Sequence, residues 1–254
     1  MKRLLTLIFL LSVSVCWADS NIVIRQPSCK KACSDGTFLA CQNFEGSGFD
    51  NSEAWITQVS DGIANPDYTT GPLRGSQCLR MKDDSSIGTY AMYKFSDNTG
   101  LGAIYGFFRL KMVDLPSSTY EVMQIWNVQG TLTEPTAYEA HDMIWISSTG
   151  VLQVHCNNGD TFNGTAQLAT GTVYYVWFYM ARTSHTNGSG WVKVSTTPFI
   201  PEANEITYSG GDQGSCSYTS ANSLMFSTYH GGSYEYLVDQ ALISTSAIGT
   251  ICAD

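Results

Sequence analysis

The feature that most constrains the fold is a series of short segments in which apolar and polar side chains alternate with a period of two. In 105–112 the even-numbered residues form one apolar face, and in 174–182 Val176, Phe178 and Met180 do the same. No stretch of about 10 to 12 residues shows the 3.6-residue period of a helix. Turn signals such as the NGSG run at 187–190 separate these segments. The pattern predicts an all-β chain that folds as a β-sandwich or barrel.

Other segments show the same alternation and assign faces to their side chains. In 120–127 it places Tyr120, Val122, Gln124 and Trp126 on one face. In 151–156 it places Gln153 and His155 opposite an apolar face. Further strands are predicted at 191–195, 224–229 and 236–243.

The N-terminus is predicted to be a secretory signal peptide covering residues 1–18. Lys2 and Arg3 precede an apolar run, and small residues at Cys16 and Ala18 favour cleavage before Asp19. A lipoprotein anchored at Cys16 is a weaker alternative, because the residue before such a cysteine is usually small and here is Val15. We expect a secreted, extracellular or periplasmic protein, with 19–42 as a cysteine-bearing extension and 43–254 as the sandwich.

Composition narrows the function classes. The formal net charge is −9 and only 14% of residues are charged, which disfavours a nucleic-acid partner. Outside the N-terminus no apolar run reaches the roughly 18 residues that span a membrane. Of eight cysteines, Cys16 lies in the predicted signal peptide, which leaves an odd number. In an oxidising compartment most are expected to pair, and Cys156, on an apolar strand face, is the one expected to remain unpaired.

Several segments occur in an order that resembles the concanavalin A-like lectin/glucanase superfamily, which includes laminin-G-like domains and polysaccharide-lyase families. The matching pieces are NFEG at 43–46, LRGSQCLR at 73–80, YGFFRL at 105–110, LATGTVYYV at 168–176 and YLVDQALIS at 236–244. The resemblance covers roughly residues 43 to 250. It implies a jelly-roll β-sandwich of two antiparallel sheets, one of which carries a groove on its outward face.

Residues that alternate away from the core are expected to populate that groove. Aromatic rings can stack on sugar rings, while amide and charged groups bind the hydroxyls. The carbohydrate-binding candidates are Tyr105, Lys111, Trp126, Gln153, Tyr175 and Trp177. The alternative is that these aromatic residues pair across strands or lie beneath a loop.

The resemblance also implies a possible catalytic set for a polysaccharide lyase. Elimination in a uronic-acid polymer needs a neutralised carboxylate, a base at C5 and an acid at the leaving oxygen. By resemblance Gln124 and Arg109 would neutralise, His155 would be the base and Tyr179 the acid. His141 and Tyr229 are substitutes. The paired acidic motif of the hydrolases with this fold is absent.

Proteins of this superfamily often hold a structural ion between their first and last strands. Glu45 and Asp239 match those positions, and carboxylates suit Ca²⁺. One structural calcium ion is therefore an expectation, with a hydrogen-bonded Asp239 as the alternative.

The sequence thus predicts a secreted β-sandwich that recognises a polysaccharide or another glycan. A polysaccharide lyase acting on a uronic-acid polymer is the second hypothesis. An extracellular adhesion module that binds a protein through its aromatic face is the third.

Overall fold

A computed structural model describes residues 38–44, 55–58, 63–71, 73–83, 89–156, 159–184, 186–211, 219–228 and 233–251. The described strands are β1 (Ala40–Gln42), β2 (Trp55–Gln58), β3 (Ile63–Tyr68), β4 (Cys78–Lys82), β5 (Thr89–Lys94), β6 (Ala103–Asp114), β7 (Tyr120–Gly130), β8 (Pro135–Ile146), β9 (Val151–Cys156), β10 (Thr161–Gln167), β11 (Val173–Arg182), β12 (Gly188–Ser195), β13 (Ile206–Gly211), β14 (Ser223–Thr228) and β15 (Glu235–Ser244). Within these ranges no helix is long and apolar enough to cross a membrane.

The described strands form two antiparallel sheets. The eight-stranded sheet has the order β13-β12-β11-β6-β15-β4-β3, and β1 pairs with the second half of β15. The seven-stranded sheet has the order β10-β9-β8-β7-β14-β5-β2. The predicted jelly-roll β-sandwich is therefore confirmed. Because β1 ends at Gln42, the sheet already includes the last residues of the predicted 19–42 extension; the predicted signal peptide lies outside the described residues.

The core lies between the sheets, where the predicted alternation of β6 and β11 holds. Phe108 and Phe178 face each other there, with ring centroids 6.2 Å apart. Gly106 is required beside them, because a Cβ at that position would collide with the Phe178 ring. Tyr236 spans the core, and its hydroxyl lies 2.8 Å from the Val122 carbonyl on the seven-stranded sheet.

A buried polar cluster joins the two sheets near one edge. Arg182 on β11 donates to Asp142 on β8 at 2.7 Å, and both side chains are buried. The Cys156 thiol donates to the same carboxylate at 3.3 Å. Burial, followed by the nearby Asp142, raises the pKa of Cys156 to about 12. Cys156 is therefore an unreactive, unpaired thiol, as its predicted core position implies.

The structure extends the prediction for the cysteines. Cys78 is also a buried thiol outside any disulfide, which the sequence did not indicate, and it donates to the Tyr68 carbonyl at 3.7 Å. Cys41 is half of a disulfide. Cys29, Cys33, Cys216 and Cys252 lie outside the described ranges.

In β7 the predicted outward face is confirmed for Gln124 and Trp126 but is wrong for Tyr120 and Val122, which face the core. A register shift between Glu121 and Met123 places Val122 and Met123 both in the core. This bulge reverses the alternation. As a result Glu121 lies on the same outer face as Gln124 and Trp126, while Tyr120 packs against the core.

Candidate functional site

The outer face of the eight-stranded sheet carries most of the predicted aromatic residues. Cross-strand pairing aligns Tyr175 with Arg109 and Tyr179 with Tyr105. Tyr105 and Tyr179 are in ring contact at 4.6 Å, and Trp191 of β12 lies 6.2 Å from Tyr179. The predicted alternation therefore correctly turns Tyr105, Arg109, Tyr175 and Tyr179 away from the core, and the structure shows that they share one sheet.

Much of that face is covered by later parts of the same chain. Ile248 and Ile251 pack on Trp177 and Phe107, forming a small second core. Trp177 is fully buried, and its indole N–H donates to the Gly249 carbonyl at 3.2 Å. Trp177 is therefore a packing residue in this structure. Alternation showed that the side chain points away from the sandwich core, but it could not show that the C-terminal segment returns over it.

Arg109 is also withdrawn from solvent. Only 3% of its surface is exposed, and its guanidinium lies over the Tyr175 ring at 5.1 Å. It pairs in register with Asp239 of β15, which is fully buried. Lys111, two residues further along β6, remains partly exposed.

The outer face of the seven-stranded sheet brings together a different set of side chains. Pairing aligns Gln124 of β7 with Met143 of β8, and Met143 with His155 of β9. A parallel row runs from Glu121 to Trp145 and Gln153. Gln124, Trp126, Gln153 and His155 are the sequence-predicted candidates that share this face.

The Gln124 amide lies in a hydrogen-bond network. Its Oε1 accepts from the Trp126 indole N–H at 3.1 Å. Its Nε2 donates to Ser227 Oγ at 2.9 Å and to Glu121 Oε1 at 3.3 Å. The two ends of the amide are therefore oriented by different partners, and the side chain is held still.

His155 is held in a second network on the same face. Its ring stacks on Trp145, with centroids 4.0 Å apart and an interplanar angle of 19°. Burial lowers the pKa of His155, so the ring is neutral at pH 7. Nε2–H then donates to Gln153 Oε1 at 3.0 Å, and Nδ1 accepts from the Thr161 hydroxyl at 3.2 Å. Gln153 in turn donates to Asn163 Oδ1 at 2.7 Å.

Glu121 and Trp145 are the residues on this face that sequence reasoning missed. Glu121 is 3% exposed, and its Oε2 has no hydrogen-bond partner among the described residues. Burial raises the pKa of its carboxyl to about 7. Simple alternation assigned Glu121 to the opposite face from Gln124, and only knowledge of the bulge could have placed them together.

The four residues predicted for lyase catalysis do not meet at one surface. Gln124 and His155 share the outer face of the seven-stranded sheet, whereas Arg109 and Tyr179 lie on the eight-stranded sheet, across the core. The substitute residues give no further information, because the His141 side chain and Tyr229 lie outside the described part of the structure.

The predicted calcium ligands are described only in part. Asp239 offers a fully buried carboxylate on β15, which is the type of donor that Ca²⁺ prefers. Glu45 lies outside the described residues. Among the residues described, no group of three or more His, Cys, Asp or Glu side chains could hold a metal ion. Calcium binding by Glu45 and Asp239 stays a prediction.

The fold is similar to those of two polysaccharide lyases and a carbohydrate esterase. An endo-β-1,4-glucuronan lyase from the fungus Trichoderma reesei matches with a TM-score of 0.56 and 12% identity, covering 83% of this chain and 96% of that chain. The marine PL-14 alginate lyase from Aplysia kurodai gives 0.56 and 9%, covering 83% and 100%. A conserved carbohydrate esterase from the Shiga toxin-encoding bacteriophage phi24B gives 0.51 and 12%, covering 82% and 97%.

Comparison of the sequence itself is less informative. No protein-family model matches the chain, and no curated protein matches it. At identities this low the structural likeness establishes the fold alone. That fold is a β-sandwich of two antiparallel sheets, the architecture that the resemblance implied.

Proposed function

We propose that this protein binds a polysaccharide along the outer face of the seven-stranded sheet. The observation that carries the proposal is the stacked pair of Trp145 and His155, bordered by the amides of Gln153 and Asn163. Flat rings can stack on the C–H faces of sugars, and amides can bind sugar hydroxyls. The two side chains that form the stack are half-buried, so part of each remains accessible.

The site also holds an exposed amide with unused hydrogen-bonding capacity. Asn163 is exposed and uses its Oδ1 to accept from Gln153, which leaves its amide N–H groups for a ligand. Fixed amides beside a fixed ring stack lower the ordering cost of binding.

Two further considerations support a carbohydrate ligand. The fold is shared with proteins described as polysaccharide lyases and as a carbohydrate esterase. The predicted signal peptide at 1–18 would bring the protein to a compartment where polysaccharides are met, and secretion is part of the proposal.

Matched tryptophan variants test which face binds. Purified protein is mixed with a panel of insoluble and soluble polysaccharides, and binding is followed by depletion and calorimetry. We expect Trp145→Ala to lower affinity about two- to tenfold, because stacking contacts of this kind contribute roughly 0.5–1.5 kcal/mol. Trp191→Ala, on the other outer face, is the control and should bind normally. Equal affinity for wild type and Trp145→Ala would reject this face as the binding site.

A polysaccharide lyase is the second candidate, favoured by one observation. Gln124 and His155 lie in the same cross-strand row, and the neutral His155 ring is in the state that a base requires. Since Tyr179 lies on the other sheet, the acid would have to come from this face, where Tyr90 of β5 pairs with Ser227. Tyr90 would then replace Tyr179 in the predicted role.

This candidate is tested by ultraviolet absorbance of unsaturated products during incubation with uronate polymers. Activity that is abolished by His155→Ala and Tyr90→Phe, but retained by Tyr179→Phe, would establish a lyase on this face. Absence of product from every uronate polymer, with binding intact, would leave a binding protein.

A further inference from the structure

We propose that Glu121 makes the outer face of the seven-stranded sheet select uncharged glycans over uronate polymers. This inference rests on the proposed function and adds the class of sugar that the site accepts. It concerns a residue that neither the sequence pattern nor the fold resemblance pointed to.

Glu121 lies on the face that carries the stacked rings of Trp145 and His155. Its neighbour in the cross-strand row is Trp145, which stacks on His155. Its Oε1 accepts from Gln124 Nε2 at 3.3 Å. The carboxyl therefore belongs to the Gln124 network and lies in register with Trp145, on the face that carries the proposed sugar site.

Glu121 has no cationic partner among the described residues. The ion pairs Arg80–Glu235 and Arg182–Asp142 lie elsewhere and do not involve it. Its Oε2 is buried without a hydrogen-bond partner among the described residues. Once ionised, Glu121 adds an uncompensated negative charge to the face.

The basic side chains of the described strands are distributed unevenly between the two sheets. Within the described strands, the lysines and arginines of the eight-stranded sheet are Arg80, Lys82, Arg109, Lys111, Arg182 and Lys193. The seven-stranded sheet contributes Lys94 alone. Lys94 donates to the carbonyls of Val128 and Gly130 and to Asn98 Oδ1, so its ammonium is already engaged.

A uronate carboxylate bound on this face would therefore lie near a carboxyl, while Lys94, the lysine of the described strands of this sheet, is already hydrogen-bonded. Like charges in a partly desolvated site repel strongly, and the net charge of −9 adds to the repulsion. A neutral sugar escapes this cost, because its hydroxyls need only amide partners.

The proposed selectivity increases with pH. Glu121 ionises near pH 7, because burial raises its pKa. The titratable groups near it are His155 on β9, Tyr90 on β5, Tyr234 just before β15 and Tyr236 on β15. Burial raises the pKa of Tyr236 and lowers the pKa of His155, so neither group gains charge as the pH rises above 7. The Glu121 carboxyl, whose pKa is about 7, gains its charge in this range.

The test uses neutral polymers, each paired with the same polymer oxidised at C6 to the uronate. The pairs are built on β-1,4-glucan, β-1,3-glucan, mannan and galactan, and affinities are measured by calorimetry at pH 6 and pH 8.5. At pH 8.5 we expect wild type to bind one neutral polymer about tenfold tighter than its oxidised form, with a smaller ratio at pH 6. Glu121→Gln should reduce the ratio and remove its pH dependence. Glu202→Gln, which removes an exposed charge elsewhere, should keep both.

The outcomes separate this inference from the proposed function. Tighter binding of an oxidised polymer that Trp145→Ala abolishes would overturn the selectivity while preserving the binding face. An unchanged selectivity ratio in Glu121→Gln, with a normal thermal transition, would also overturn it. If Trp145→Ala has no effect on any polymer, the proposed face is wrong, and the inference is rejected with it.

Discussion

The outer faces of the two sheets use similar residue types for different purposes. The face of the eight-stranded sheet is rich in aromatic and basic side chains, but the segment containing Ile248 and Ile251 closes over its centre. The face of the seven-stranded sheet has fewer rings, and its polar groups are tied into two hydrogen-bond networks around Gln124 and His155. An aromatic row that points away from the sandwich core can therefore form a second core. A polar row on the other sheet is then the better candidate for a binding site.

The largest expected difference between the two faces is in stability. Trp177→Ala should lower the free energy of unfolding by about 3–5 kcal/mol, because it removes a fully buried ring and the hydrogen bond to Gly249. Trp145→Ala should cost about 1–2 kcal/mol, since its ring is only half-buried. Urea unfolding followed by circular dichroism measures both. This prediction is wrong if the Trp145 variant unfolds at a lower free energy than the Trp177 variant.

The sequence predicted the sandwich because the alternation in β6 and β11 is nearly unbroken, and side-chain faces follow directly from a period of two. It failed at β7, where one bulge moved Glu121 onto the face of Gln124. It also failed at Trp177, whose burial depends on contacts more than seventy residues away in sequence. Local patterning determines which way a side chain points, whereas what lies over it is decided by the path of the whole chain.

The second prediction concerns the pH dependence of stability on the polar face. The pKa of Glu121 is raised from 4.5 to about 7 in the folded protein. The folded state therefore binds this proton more tightly, and the contribution to stability falls as pH rises from about 4.5 to about 7. Glu121→Gln should remove a loss of roughly 3 kcal/mol between pH 4.5 and pH 8.

Unfolding of wild type and Glu121→Gln at a series of pH values measures this difference. Glu202→Gln is the matched control, because that side chain is exposed. Parallel stability curves for wild type and Glu121→Gln would show that folding does not raise the pKa of this carboxyl, and would remove the pH dependence of the proposed selectivity.

A third prediction asks whether the eight-stranded sheet also holds an ion. If Glu45 and Asp239 bind calcium, added Ca²⁺ at one hundred times its dissociation constant should stabilise the fold by about 2.7 kcal/mol. Thermal unfolding with calcium and with chelator measures the effect, and Asp239→Asn should abolish the dependence. Identical melting temperatures in calcium and chelator, with no metal found by elemental analysis, would reject this site.

The smallest effect on stability is expected for Glu205, which lies where the edges of the two sheets meet. Glu205, just before β13, accepts hydrogen bonds from the backbone N–H groups of Thr165 and Ala166 in β10. These contacts hold the irregular stretch of β10 between Asn163 and Gln167, and β10 carries two side chains of the proposed sugar site. Because the bonds lie at the surface, Glu205→Ala should cost only about 1 kcal/mol of stability.

Its effect on binding is more informative than its effect on stability. If β10 positions Asn163 and Thr161 for the sugar, then Glu205→Ala should weaken polysaccharide binding severalfold, although Glu205 lies before a strand of the other sheet. Glu202→Ala, three residues earlier and without such contacts among the described residues, should leave affinity unchanged. Unaltered affinity in the Glu205 variant would mean that β10 does not contribute to binding, and that the binding surface is confined to β7, β8 and β9.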